Sequence, residues 1–166
     1  MRVSGGRLIV LALVTLLTGC IYGFAGGGLP ANIHTVAILP FENQTASATL
    51  QQELYDRMKK DLEGRLGLRD ASERKADAVV RGTITRYDAD IPIAYSANPA
   101  QATSAQRKLQ ITVDVEIVDQ STGRTLWAQK GLMRDGTYAE RGEDQGRKDA
   151  IEKIVNDIVA GAQSQW

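Results

Sequence analysis

Residues 109–117 read Leu-Gln-Ile-Thr-Val-Asp-Val-Glu-Ile, a strict alternation of apolar and polar side chains. Because successive side chains of a β-strand point to opposite faces of its sheet, a period of two predicts a strand with one buried and one solvated face. Residues 119–123, Asp-Gln-Ser-Thr-Gly, are turn formers and predict a hairpin loop. A partner strand is therefore expected from Arg124 to about Arg134.

The strand after this hairpin has a less regular pattern. Leu126, Ala128 and Leu132 would line its buried face, whereas Trp127 and Met133 would lie on the other face. Apolar side chains on both faces indicate that something apolar covers part of the second one.

Upstream, residues 77–87 alternate in the same way and predict another strand. Residues 91–106 consist mainly of Pro, Ala, Ser, Gln and Thr with few apolar anchors, and we expect a long mobile loop there. The strand at 77–87 would bury Ala78, Val80, Gly82 and Ile84 and would expose Arg81, Thr83, Thr85 and Tyr87.

The N-terminal part of the predicted domain supplies one strand and one helix. Residues 33–41 are apolar and β-branched and contain Pro40 near their end, which predicts a strand followed by a turn at 42–45. Thr49 and Gln52 have capping-box spacing at the start of a helix, and Gly67 is placed to end it. The buried stripe of this helix would be Leu50, Leu54, Met58, Leu62 and Leu66.

A second helix is expected from about Glu143, because the following apolar residues recur at i, i+3 and i+4. The predicted order of elements is then β-α-β-β-β-α. We predict an α+β fold, a two-layer sandwich in which a four-stranded mixed sheet carries both helices on one face and leaves the opposite face open. The stripe of the second helix would be Ile151, Ile154, Val155, Ile158, Val159 and Ala162.

The N-terminal segment has the composition of a lipoprotein signal peptide. Two arginines precede ten mostly apolar residues at 8–17, a run well short of the ~20 residues that a membrane-spanning helix needs. The run ends in a segment that looks like a lipobox, so cleavage after Gly19 and acylation of Cys20 are expected, with ordinary cleavage near Gly23 as the alternative. The lipobox would consist of Leu17, Thr18, Gly19 and Cys20.

This interpretation divides the chain into a signal peptide at 1–19, a lipidated flexible tether at 20–31 and a single α/β domain at 32–166. Cys20 is the only cysteine, which excludes a disulfide within the chain and fits a covalent use of that thiol. Ile21, rather than Asp, follows it. By resemblance to the sorting rule of Gram-negative lipoproteins, this predicts a lipid anchor on the periplasmic side of the outer membrane.

Composition and motifs argue against nucleic-acid binding and against catalysis. Removal of Arg2 and Arg7 leaves a formal net charge of about −2. His34 is the only histidine, and Asp88 and Asp90 stand where a strand is expected to end, so turn and solvation roles outweigh acid–base chemistry. We expect no enzyme, no metal and no cofactor other than the covalent diacylglycerol and N-acyl chain on Cys20.

The solvated sides of the later strands form the candidate functional surface. They would project from the side of the sheet that no helix covers, and aromatic residues, Arg and Met are enriched in protein interfaces. An ordinary solvated surface is the alternative. The surface would contain Arg81, Thr83, Thr85, Tyr87, Arg107, Lys108, Gln110, Thr112, Trp127, Gln129 and Met133.

Several segments together resemble the lipopolysaccharide-assembly lipoprotein family, the LptE group. The resemblance covers nearly the whole mature chain, and its weight lies in the order of the segments, because they are strands and turns without a catalytic signature. The resembling segments are Cys-Ile-Tyr-Gly-Phe at 20–24, Leu-Pro at 29–30, residues 33–45, Ala-Asp-Ala at 76–78, Gly-Thr-Ile at 82–84 with Tyr87, Tyr-Ser at 95–96, Thr-Gly at 122–123 and Leu-Trp at 126–127.

The resemblance implies a small lipoprotein that sits inside the large LptD-like outer-membrane β-barrel of lipopolysaccharide export. There it would act as a plug and assembly factor, and it would contact lipopolysaccharide through basic residues that face anionic phosphates. A lipid tether would raise its effective concentration at the barrel. The implied contacts with the barrel or with lipopolysaccharide are Arg81, Arg86, Tyr87, Arg107, Lys108, Trp127 and Lys130.

The first strand also resembles that of a second family. Residues 36–43, Val-Ala-Ile-Leu-Pro-Phe-Glu-Asn, also resemble lipoproteins that form rings in outer-membrane secretion pores for curli or exopolysaccharide. The Leu-Trp pair after the hairpin and the Tyr-Gly-Phe of the tether favour the lipopolysaccharide group.

Overall fold

The computed structural model describes residues 29–94, 106–139 and 141–164, which form six strands, two α-helices and one 3₁₀ turn. The predicted signal peptide and most of the predicted tether lie outside these residues. No helix in the described part of the chain is long and apolar enough to cross a membrane. The elements are β1 (Thr35–Ile38), β2 (Glu42–Asn43), α1 (Leu50–Leu66), β3 (Arg69–Asp70), the 3₁₀ turn (Glu73–Lys75), β4 (Ala78–Ala94), β5 (Gln106–Asp119), β6 (Thr125–Tyr138) and α2 (Glu143–Ser164).

The sheet is mixed and open, with the order β3-β1-β4-β5-β6, and β2 pairs with β4 beside that path. β1 is parallel to β3 and β4, and β2 is parallel to β4, whereas β4, β5 and β6 form an antiparallel meander. The predicted α+β class and mixed sheet are confirmed, but the sheet has six strands rather than four. β2 and β3 are two residues each, which is too short to produce a period in the sequence.

β5 confirms the strand predicted from its alternation. Leu109, Ile111, Val113, Val115 and Ile117 are at most 4% exposed, and the polar residues between them are partly solvated. Both helices pack on this buried side, because their apolar stripes join the same core cluster as β5, β4 and β1. Burial on one side of the sheet therefore holds the two layers together.

α1 buries Leu50, Leu54, Met58 and Leu62, as its spacing predicts, and the fifth predicted member, Leu66, is only partly buried against the same core. The expected capping box at Thr49 is wrong, because Thr49 has helical backbone angles and its side chain makes no capping hydrogen bond. The predicted stop is confirmed. Gly67 has φ +67°, a left-handed conformation that favours glycine, and its N–H donates to Leu62 O.

α2 begins at Glu143 and buries every predicted member of its stripe, from Ile151 to Ala162. It lies against β6 through a contact between two glycines. A Cβ on Gly136 would lie 1.8 Å from Gly146 O, so only glycine at 136 allows the helix backbone to approach the strand this closely.

The long hairpin between β4 and β5 extends further than predicted. Residues 91–94 continue β4 and pair with residues 106–108 of β5. The prediction of a loop starting at Ile91 is therefore wrong for residues 91–94. Residues 95–105 of that predicted loop lie outside the described residues.

A second, smaller apolar cluster lies on the opposite side of the sheet. Ala37, Ala76 and Val79 are buried there, with Leu39 and Ala71 packed against them. The segment around the 3₁₀ turn therefore covers one corner of the side that the helices leave uncovered.

Candidate interaction surface

The side of β4, β5 and β6 that faces away from the helices forms a continuous polar surface, which we call the open face. Strand register places its members, because each except Lys130 pairs across the ladder with another residue on the same side. Lys130 is placed by the depression that it lines together with Arg81 and Glu116. Arg81 is opposite Glu116, and Glu116 is opposite Ala128. The open face includes Arg81, Thr83, Arg86, Asp88, Lys108, Gln110, Thr112, Asp114, Glu116, Ala128, Lys130, Met133, Asp135 and Thr137.

Charges of both signs alternate on the open face. Arg81 Nε lies 2.5 Å from Glu116 Oε1, and Arg86 Nε lies 2.8 Å from Asp88 Oδ2. The side chain of Arg81 is 59% exposed and that of Arg86 is 72% exposed, so water screens both ion pairs. A partner would displace such exposed pairs at little cost.

A shallow depression of ≈ 420 Å³ lies on the open face between β4 and β6. Its rim contains two basic and two acidic residues, Arg81, Lys130, Asp114 and Glu116. The side chain of Ala128 is too short to fill its floor. Lys130 makes no salt bridge to any residue that the structure describes. Two of the predicted contact residues, Arg81 and Lys130, are therefore brought together here.

The structure also places Arg86 and Lys108 on the open face, further along the sheet from Arg81. Met133 lies there as predicted and is 49% exposed. The predicted position of Ala128 on the buried side is wrong, since Ala128 is exposed and lines the depression.

The predicted position of Tyr87 on the open face is wrong. A register shift between Ile84 and Arg86 places Tyr87 opposite Ile111, a core residue, so the side chain turns toward the helices. Its hydroxyl donates to Glu143 Oε1 at 2.6 Å. The extra residue of this β-bulge, Thr85, reverses the alternation that the sequence pattern predicted beyond it.

Trp127 and Gln129 are also on the helix side, contrary to prediction. The register shifts between Ile117 and Val118, so Trp127 lies opposite Ile117 of the core. A Cβ on Gly161 would lie 2.3 Å from Trp127 Cε2, so the indole packs directly on α2. Gln129 lies opposite Val115, another core residue.

Arg107 is the third predicted contact that does not lie on the open face. It shares the alternation of Leu109 and is opposite Tyr138, whose side chain packs against the core. Arg107 Nη1 donates to Asp90 Oδ1. The basic residues Arg107 and Lys108 therefore project from opposite sides of β5.

Arg147 joins the two helices below Tyr87. Its Nε and Nη2 donate to Glu53 Oε2 and Oε1 at 2.7 and 2.9 Å, and Nη2 also donates to Asp144 Oδ1 at 2.8 Å. The hydrogen bonds to Glu53 raise the pKa of Arg147 above its ordinary value. Burial, and then the hydrogen bond to Glu143, raise the pKa of Tyr87 to about 12.

Two aspartates, Asp77 before β4 and Asp119 at the end of β5, accept hydrogen bonds at the end of the sheet away from Arg147. Asp77 Oδ2 accepts hydrogen bonds from the backbone N–H groups of His34 and Thr35, both at 2.9 Å, and from Thr35 Oγ1 at 2.8 Å. These bonds lower the pKa of Asp77, and that from His34 contributes most. In the hairpin loop, bonds from Ser121 and then Thr122 lower the pKa of Asp119.

The described residues offer no arrangement for metal binding. Within 29–94, 106–139 and 141–164 no group of three His, Cys, Asp or Glu side chains converges on one point. His34 is exposed at the start of β1, and Asp88 and Asp90 each pair with an arginine.

Sequence reasoning missed the network around Arg147 and both strand irregularities. Arg147 follows Asp144 by three residues and Glu143 by four. This spacing predicts ion pairs on one surface of a helix, but it does not predict the contact of Arg147 with Glu53 of the other helix. Gly131, with φ +63°, marks a further register shift between Val113 and Val115, because glycine inside a strand pattern often marks a bulge. No glycine marks the bulge at Thr85 or the shift that turns Trp127 toward the helices.

Fold and surface define a class: a small α+β domain with two helices on one side of a mixed sheet and a polar open face on the other. The family model described as lipopolysaccharide-assembly, LptE, matches residues 33–160. The chain therefore belongs to the LptE family. Membership confirms the family indicated by the order of its strands and turns.

Solved structures share this fold at low sequence identity. The PelC dodecamer from Paraburkholderia phytofirmans aligns with a TM-score of 0.52 and 17% identity over 84% of this chain and 95% of that one. A Xanthomonas campestris protein aligns at 0.52 with 10% identity, covering 82% and 89% of the two chains. An uncharacterized lipoprotein B from Nitrosomonas europaea aligns at 0.50 with 12% identity, covering 81% and 86%. No curated protein gives a significant match to this sequence.

Proposed function

We propose that this LptE-family chain is an outer-membrane lipoprotein that docks in the β-barrel of lipopolysaccharide export and assists its assembly. Acylated Cys20 would hold it on the periplasmic side of the membrane. The protein would act by binding, without an enzymatic step, and its only cofactor would be the covalent lipid.

The observation that supports this proposal is that this chain, a member of the LptE family, has an open face on its sheet. Among the residues that the structure describes, the helices cover one side of β4 to β6, and the segment around the 3₁₀ turn covers only a corner of the other side. Met133 and the floor of the depression at Ala128 provide apolar contact area among exposed ion pairs. Such a mixture of apolar centre and polar surroundings is typical of protein interfaces.

Contact with lipopolysaccharide is a further part of the proposal. Lys108 and Lys130 lie on the open face, and neither makes a salt bridge to a described residue, so their ammonium groups are available to phosphates. Arg86 would join them if a phosphate displaced Asp88 from its exposed pair. Arg107, Tyr87 and Trp127 are less suited to this role because their side chains pack on the helix side.

Co-purification from detergent-solubilised outer membranes tests the main proposal. The tagged chain should retain one large β-barrel protein in roughly equal amount. Cys20→Ala should keep the fold, shown by an unchanged circular dichroism spectrum, but lose the membrane fraction. A wild-type chain that reaches the outer membrane and retains no barrel would contradict the proposal.

A ring-forming subunit of a secretion pore is the second candidate, favoured by the shared fold with the PelC dodecamer. It predicts a homo-oligomer of defined mass and no barrel partner. Light scattering on the purified lipoprotein separates the two, since the export-partner function predicts a monomer when the barrel is removed.

A further inference from the structure

The chain enters the domain at the end of the sheet where β1 and β4 begin. Leu29, the first described residue, is partly buried against the core, and Ile33 N donates to Pro30 O at 2.8 Å. Only residues 21–28 separate Leu29 from Cys20. Because a fully extended segment of this length spans roughly 30 Å, a lipid on Cys20 would keep this end of the domain within that distance of the membrane.

Hydrogen bonds attach two neighbouring segments to the chain at this entry point. The backbone N–H of His34 donates to Asp77 Oδ2 at 2.9 Å, and the backbone N–H of Arg69 donates to His34 O at 3.0 Å. Asp77 follows the end of the 3₁₀ turn by two residues. Both β3 and the 3₁₀ turn are therefore held next to the point where the predicted tether meets the domain.

These two segments carry three exposed basic side chains, Arg69, Arg74 and Lys75, which we call the basic corner. Arg69 lies opposite Thr35, on the side of the sheet that faces away from the helices, because the next residue of β1, Val36, points into the core. The segment around the 3₁₀ turn lies on that same side. The three cations therefore share one corner of the molecule.

A net positive charge remains at the basic corner after the nearby acidic residues are counted. Asp70 is engaged by Lys59, whose Nζ lies 2.6 Å from Asp70 Oδ2, and Asp77 accepts hydrogen bonds from the backbone at the start of β1. Glu73 is the other acidic residue of this segment. The three cations make no salt bridge to any residue that the structure describes, so their charges are available to an external anion.

Position and charge together specify the occupant. Basic side chains are attracted to an anionic membrane surface, and the attraction falls off within a Debye length, about 10 Å at 0.1 M salt. A lipid anchor would keep the basic corner close enough to reach the headgroups and would raise its effective concentration there. Anionic phospholipids in the leaflet that carries the anchor therefore match this corner in both charge and location.

We infer that the basic corner docks on anionic phospholipid headgroups of the leaflet that holds the lipid on Cys20, and that this contact orients the domain. The inference rests on the acylation of Cys20 in the proposed function, but not on the barrel. β5 runs from Asp119, opposite Ala78, to Arg107, opposite Tyr138, a length of roughly 40 Å. The distal end of the sheet, where α2 begins, would then point away from the membrane.

Quenching of a fluorophore by lipids with a spin-labelled headgroup tests this orientation. Cys20 is the only cysteine and would carry the lipid, so Ser72→Cys in the full lipoprotein supplies one thiol beside the basic corner for a bimane label. Gln145→Cys, exposed near the start of α2, is the distal control. In nanodiscs of phosphatidylcholine and phosphatidylglycerol in equal amounts, we expect strong quenching at position 72 and little at position 145. Quenching at position 72 should fall several-fold in phosphatidylcholine alone or at high salt.

Charge-reversed variants separate the effect of the basic corner from that of the tether. Arg74→Glu with Lys75→Glu should reduce quenching at position 72 several-fold, because the tether alone does not hold this corner against the headgroups. Lys60→Glu with Lys148→Glu, the same charge change on exposed helix positions, should leave it unchanged. The inference is overturned if quenching is equal in the two kinds of nanodisc, if both double variants behave alike, or if position 145 is quenched as strongly as position 72.

Mass spectrometry of Cys20 distinguishes failure of this inference from failure of the proposed function. An unmodified thiol would contradict the proposed lipid anchor and this inference together. Acylated Cys20 with quenching that does not depend on charge would overturn this inference alone. A chain that shows the expected quenching but retains no barrel would support the docking of the basic corner and contradict only the proposed partner.

Discussion

Arg147 shows how one buried side chain joins two helices that are far apart in the sequence. Its guanidinium makes a two-pronged contact with Glu53 across the helix interface, and its side chain is only 11% exposed. A paired, poorly solvated contact of this kind contributes more than the exposed ion pairs of the open face. The Arg147 guanidinium also contacts Glu143, and the Glu143 carboxylate accepts the hydrogen bond from the hydroxyl of Tyr87.

Arg147→Met should therefore lower the free energy of unfolding by about 1–3 kcal/mol, because it leaves Glu53 without its partner. Urea unfolding followed by circular dichroism measures the change. Lys153→Met, on the same helix but exposed, is the matched control and should have a smaller effect. An equal effect of the two substitutions would show that the Arg147 network adds nothing particular.

Asp77 predicts a pH dependence of stability. Because hydrogen bonds lower its pKa in the folded protein, its contribution is present above the unfolded value of about 3.9 and is lost as the pH falls through the folded value. Asp77→Asn should reduce stability at pH 7 and converge with the wild type in the acid range. Asp56→Asn, on an exposed position of α1, is the control and should change stability at pH 7 less than Asp77→Asn does.

At the scale of elements, the position of α2 is set by a contact between backbones. Gly136→Ala should lower stability by about 3 kcal/mol, because its Cβ would meet the backbone of Gly146 and no side-chain rotation relieves that overlap. Gly64→Ala, within α1 and with no atom within 4 Å, should raise stability by roughly 0.5–1 kcal/mol. Thermal unfolding distinguishes them, and a tolerated Gly136→Ala would contradict the close approach of α2 to β6.

At the scale of the whole molecule, the two sides of the sheet are covered differently. The helices pack on one side, and the open face is the surface that we propose for the partner. Arg81→Glu combined with Lys108→Glu should reduce co-purification of the export barrel by about tenfold without loss of fold. Lys60→Glu with Lys148→Glu, on exposed helix positions, should leave it unchanged. If both double variants retain the barrel equally well, the open face is not part of the interface.

Much of the fold could be predicted because its determinants are local. The alternation in β5, the stripes of α1 and α2 and the stop at Gly67 each follow from a period or a residue preference. The candidate site was predicted less well. Arg81, Arg86, Lys108 and Lys130 lie on the open face, but Tyr87, Trp127 and Arg107 do not. Register shifts displace Tyr87 and Trp127, because alternation predicts the side of a residue only as far as the next bulge. No shift displaces Arg107, which follows the alternation of β5 on the side of Leu109 and could not share a side with Lys108.

The amino-acid sequence alone determined the α+β class, the main helices and strands, and the family to which the chain belongs, because hydrophobic period and the order of segments are properties of neighbouring residues. Only the tertiary structure decided that β2 and β3 join the sheet and that Tyr87 and Trp127 turn toward the helices. These features depend on which backbone lies beside which, and contacts between distant segments set that arrangement.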